Sequence, residues 1–241
     1  MVKKSRISFQ FFALLFSALL SSALQAEDAL LWRVETEQGA VSHLFGTIHS
    51  EDLRVTRLPE PVAQAFGSAE TVVLEMELTA ETQQKMAEAI LLPPTEQLSD
   101  YISTEVYRDT VSAMSERGYP EEITSRLRPW AALMILSMPQ PETGQFIDKI
   151  LYDRALEENK SVRGLESVDE QLAAFRQLSL EDHERLLEQA LLEQPELPGL
   201  MEDMTNAWLM RDVQALVALS NESLKPLPDA LQERFMDALV R

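Results

Sequence analysis

The chain has 241 residues, no cysteine, and 40 acidic against 21 basic residues, for a formal net charge of −19. A field of that size repels phosphate backbones, which excludes nucleic acid as an expected partner. Without cysteine there is no disulfide and no lipid-attachment cysteine, so the fold must rest on core burial, which ~215 residues beyond the N-terminal leader can supply as one domain.

The first residues differ from the rest. Lys3, Lys4 and Arg6 precede an apolar run from Phe9 to Leu20, and small residues (Ser21, Ser22, Ala23, Ala26) follow before Glu27 and Asp28. Basic, apolar, then small is the layout of a secretion signal. The run is shorter than the roughly 20 residues that cross a bilayer. We therefore expect a cleavable signal over residues 1–26, a single domain over 27–241, and a bacterial periplasmic or secreted product with no stable membrane span after cleavage. Ser21-x-Ala23 competes with Leu24-x-Ala26 as the cleavage site, and an uncleaved anchor is the alternative. Setting the three basic residues aside leaves 18 basic against 40 acidic residues, a net charge near −22.

Four β-type runs follow. Leu30 to Glu35 and Val41 to Ile48 flank a polar Gly-containing loop and read as a hairpin. Thr71 to Leu78 reads as a third strand, and Ser161 to Leu165 as a fourth. Between the first pair and the third strand, Val62, Ala65, Phe66 and Ala69 recur at helical spacing after Pro59 and Pro61. Residues 80–159 read as a large helical insertion broken at Pro93-Pro94, Gly118-Tyr119-Pro120 and Pro139-Gln140-Pro141. Within it, Trp130 to Met138 is apolar all round and should be buried. Ser167-x-x-Glu170 is a capping box opening a helix to Leu178. Further helices are expected near 180–193, 199–210, 212–220 and 228–240. This order predicts an α/β fold, a small mixed β-sheet flanked by helices with the insertion between its third and fourth strands.

Three strands end in ionisable residues: His49, then Glu75 and Glu77, then Glu166. Ligands of α/β sheets bind beyond the carboxyl ends of parallel strands. An imidazole and two or three carboxylates gathered there would suit a divalent metal, or acid and base work without one. Period two would place Glu77 on the same face as Glu75, or leave it in solvent. Glu166 has a competing role, since negative charge just ahead of a helix favours its dipole. His43 alternates with the strand's apolar residues and is a weak candidate. His183, in the first turn of a Glu-rich helix, is expected at the surface.

These residues carry a resemblance. Leu44-Phe45-Gly46-Thr47-Ile48-His49 is similar to the first Gly-x-x-His motif of the TraB/GumN family, related to Tiki proteases and to the erythromycin esterase/ChaN group. Leu31 to Val34, Leu58-Pro59 through Glu75, and Asp148, Leu151, Ala155 and Lys160 leading into Val162-x-Gly164-Leu165-Glu166, Gln171 and Phe175 resemble further passages of it, in order, over about residues 30–220. The resemblance implies a hydrolase site on His49, Glu75 and Glu166, with Gln171 in support, acting on a peptide or small-molecule substrate. It implies a manganese- or cobalt-like ion in the peptidase branch and metal-free water activation in the esterase branch. Asn159 stands where the family has Gly, in a position Asn also tolerates. The family's second Gly-x-x-His does not occur here after residue 49, so a shortened or inactive form is expected. A non-catalytic exported binding or accessory protein is the alternative.

Overall fold

The computed structural model describes residues 26–27 and 30–239, so the expected signal over 1–26 lies, but for Ala26, outside the described residues. The α/β class holds. Among the described residues the strands divide into two small sheets, where one mixed sheet was expected. Strands β1 (Ala26–Glu27), β2 (Leu31–Glu35) and β3 (Val41–Phe45) pair antiparallel in chain order. The β2–β3 turn closes through Thr36 N–H to Ala40 O and Gly39 N–H to Thr36 O, with Gly39 at φ 81°. That left-handed conformation is open to glycine without steric cost.

Helices α1 (Leu53–Thr56) and α2 (Glu60–Ser68) lead to β4 (Thr71–Leu74). The insertion then supplies α3 (Ala80–Ala89), α4 (Thr104–Glu116), α5 (Glu121–Thr124), α6 (Pro129–Leu136) and α7 (Ile147–Glu157). Its breaks fall at the expected prolines. At the end of α7, Asn159 takes φ 55° and Lys160 N–H reaches back to Ala155 O, a left-handed termination of the kind Asn and Gly allow. The chain returns as β5 (Ser161–Gly164), which pairs parallel with β4, Leu74 opposite Gly164. Helices α8 (Val168–Arg176), α9 (Leu180–Glu193), α10 (Leu197–Leu209), α11 (Val213–Leu224) and α12 (Asp229–Leu239) complete the fold. The Ser167–Glu170 capping box forms as the spacing predicts, satisfying donors at the start of α8 that lack intrahelical partners.

Two main apolar cores form among the described residues, beside a small cluster of Leu31 and Val62. A helical core gathers Leu98, Met114, Leu136, Leu172, Leu187 and Leu231, all essentially inaccessible. Each such leucine contributes roughly 1.5–3 kcal/mol through burial. Helix α6 is almost enclosed by it, although Met134 remains exposed. A second core beneath the sheets joins Leu30, Ile48, Val55, Phe66, Ile147, Ala155 and Trp208, with Val72 and Val162 against it. Met76, two residues beyond β4, packs on the helical core instead. The ends of β4 and β5 therefore stand where the two cores meet. Among the described residues no helix is long and apolar enough to cross a membrane.

Candidate functional site

Beyond β3 the backbone of Gly46 is held from both sides. Its N–H donates to Leu30 O at 2.8 Å, and its carbonyl accepts from the buried Trp208 indole at 2.9 Å. Ile48 sinks into the sheet core at 3% exposure, and its neighbours Thr47 and His49 remain partly accessible. The Thr47 hydroxyl donates to Asp148 Oδ1 at 3.0 Å. His49 Nε2 lies 3.8 Å from Asp148 Oδ2, and its ring meets Phe146 edge-to-face at 5.1 Å between centroids.

Strand β4 ends one residue before Glu75, where the chain bends, so the expected strand through Leu78 is shorter than its apolar pattern. The parallel ladder still continues past both strands: Leu165 N–H donates to Leu74 O and Glu166 N–H to Glu75 O, each at 2.9 Å. Glu75 and Glu166 are thereby held side by side. Burial pushes the Glu75 carboxyl above its ordinary value; the charges of Asp148 and Glu166 push the same way, and His49 opposes them. Desolvation and like charge both favour a protonated carboxyl. His49 and Glu166 thus each lie within electrostatic reach of Glu75.

Glu77 does not join Glu75 on a shared strand face, because the strand has already ended; its Oε1 accepts from Gly164 N–H at 3.3 Å. Gln171 lies in the first turns of α8. His43 is exposed, opposite Arg33 across the hairpin. His183 corrects an expectation. It is 6% exposed, with Nε2 2.9 Å from Phe175 O, because its face of α9 packs into the helical core rather than facing solvent.

Sequence reasoning missed Phe146 and Glu51, and it included Asp148 within the resemblance without giving it a place in the site. Asp148 occupies the first turn of α7, where a carboxylate is already accounted for by the helix dipole. Its link to Thr47 spans 101 positions, a separation that no local pattern signals.

The donor types here suit a divalent cation, and Asp148 Oδ2 is buried with no hydrogen-bond partner, an oxygen that a counter-charge would satisfy. Yet among the described residues no group of three or more His, Asp or Glu side chains is disposed to hold a metal ion. As the side chains stand they do not make a metal cage.

An α/β chain with two small sheets, a broad helical layer, and an imidazole with carboxylates at their junction defines a mixed-fold protein with a candidate acid–base site. The model of the TraB/PrgY/gumN family matches residues 30–241, and the chain belongs to that family. No curated protein and no solved structure matches it.

Proposed function

We propose that this chain is an exported hydrolase-type member of its family, with His49, Glu75 and Glu166 as the reacting groups and Asp148 orienting the imidazole. The observation that carries the reading is the partly buried Glu75 carboxyl, raised in pKa by burial and set within reach of His49, Asp148 and Glu166. In this reading the neutral His49 imidazole takes a proton from water as the hydroxyl attacks a carbonyl carbon. Asp148, fixed by Thr47, stabilises the imidazolium that forms. Glu75, its carboxyl raised in pKa by burial and by the charges of Asp148 and Glu166, acts in its protonated form and passes that proton to the leaving group as the bond to the carbonyl carbon breaks. General acid–base groups of this kind contribute about 100- to 10,000-fold each.

The test is hydrolysis of a panel of peptides and carboxylic esters by the chain and by His49→Ala and Glu75→Gln. Each variant is expected to lose about 100-fold or more of any turnover found. Turnover equal to wild type in both would overturn the reading. A divalent-cation centre on His49, Glu75 and Glu166 is the second reading, favoured by the unsatisfied Asp148 Oδ2 beside the imidazole. Calorimetric titration with manganese, cobalt and zinc tests it: equal, negligible binding by wild type and His49→Ala removes it. Export is tested separately, by finding whether the protein outside the cytoplasm begins at Glu27.

A further inference from the structure

The segment between α6 and α7 carries Phe146 onto His49, and it is tied down at both ends. At its start, the Arg117 guanidinium donates to the carbonyls of Ile135, Leu136 and Met138 and to Gln194 Oε1. Near its far end, one carboxylate collects four donors. Glu51 Oε2 accepts from the N–H groups of Glu142 at 2.9 Å and Thr143 at 2.6 Å and from the Thr143 hydroxyl at 2.9 Å, while Oε1 accepts from Gly144 N–H at 2.9 Å. Successive backbone N–H groups turned toward one anion form a nest, and Gly144 at φ 68° supplies the left-handed residue that this turn requires. Glu51 lies two residues beyond His49 and more than 90 positions before the turn that it holds.

We propose that Glu51 is a positioning residue: by clamping the 142–144 turn it sets Phe146 against His49 and so fixes the wall and the orientation of the imidazole. The proposal rests on the reading of His49 as part of the site, but it concerns the placement of that ring rather than its chemistry. A surface carboxylate that served only local stability would leave the surroundings of His49 unchanged when removed. A clamp would not, because Phe146 follows the turn directly and caps the start of α7.

The experiment is proton NMR of the histidine side chains in the full chain, whose three histidines are distinguished by the loss of one signal in His49→Ala. Phe146→Ala removes the ring-current displacement of His49 and defines the shift for an open wall. Glu51→Ala is expected to move the His49 signal in the same direction, and the double variant to move it no further than Phe146→Ala alone. Glu51→Gln keeps one acceptor oxygen for donors spread over two, and its signal should fall between wild type and Glu51→Ala. It also supplies the answer if Glu51→Ala fails to fold. Amide exchange at Thr143 and Gly144 should speed by about tenfold or more in Glu51→Ala, as expected for losing bonds to a charged acceptor. A His49 signal at its wild-type position in the Glu51 variants, with Phe146→Ala shifting it, would overturn the clamp. So would a His49 signal indifferent to Phe146→Ala. Neither result depends on turnover, so failure of the hydrolase reading and failure of the clamp are separable.

Discussion

Gly164 is a position where a single methyl group meets close backbone. A Cβ there would lie 3.1 Å from Glu77 N, 3.2 Å from Glu166 O and 3.4 Å from Met76 Cα. All three are backbone atoms, which cannot swing aside as a side-chain tip can. Gly164→Ala should therefore cost about 1–3 kcal/mol in urea unfolding, the range for forcing an extra methyl into packed structure, and should separate Glu75 from Glu166. At this scale the sequence was informative where chemistry interrupts an apolar run: His49, Glu75 and Glu166 stand out because ionisable groups end strands of Val, Leu and Ile. It was silent where a bland role and a special one use the same residue. Asp148 reads as a helix-start carboxylate and Glu51 as one acid among 40. Only tertiary distance separates them from the others.

Helix α6 depends on a partner outside itself. Its last carbonyls have no intrahelical donors, and the Arg117 guanidinium, at the C-cap of α4, donates to Leu136 O at 3.1 Å and, just beyond the helix, to Met138 O at 2.7 Å. Burial lowers the Arg117 pKa, but several carbonyls around a fork of donors suit a guanidinium that stays charged. Arg117→Ala should destabilise the protein by roughly 2–4 kcal/mol, since it leaves half-buried carbonyls unpaired. Arg117→Lys should recover only part of that, because one ammonium cannot span the fork. Thermal unfolding of the two variants beside wild type checks both statements. Helix starts were legible because capping residues act locally: Ser167 with Glu170 and Ser179 with Asp182 both form capping boxes. Strand ends were less legible. Thr71 to Leu78 alternates as a strand should, yet β4 stops at Leu74, where its paired neighbour among the described residues, β5, is itself about to turn into α8.

Across the whole molecule, the helical core contains a pH-sensitive element. His183 has its pKa lowered from 6.5, chiefly by burial, against a hydrogen bond to Phe175 and the charge of Asp182, which raise it. Asp182 is engaged by Arg234 of α12. The folded state therefore holds the proton on His183 less tightly than the unfolded chain does. Above about pH 6.5 both states carry a neutral ring and nothing is lost. As pH falls through that value the unfolded chain binds the proton first, and stability declines. Melting temperatures measured between pH 7.5 and 5.5 should fall in wild type and fall less in His183→Leu; equal slopes would refute this. The burial of His183 could not be anticipated, because it stands among Glu181, Asp182 and Glu184 and only the packing of α8 and α12 shows which face turns inward.

The bond between the Trp208 indole and the Gly46 carbonyl joins residues 162 positions apart. Contacts of such span form late, because the long intervening chain must first be brought together. During synthesis, Gly46 emerges from the ribosome long before Trp208 does. The floor beneath His49 then waits on a helix made much later in the chain. A nascent chain of 200 residues would carry every reacting group named above and still lack the pillar that seats them.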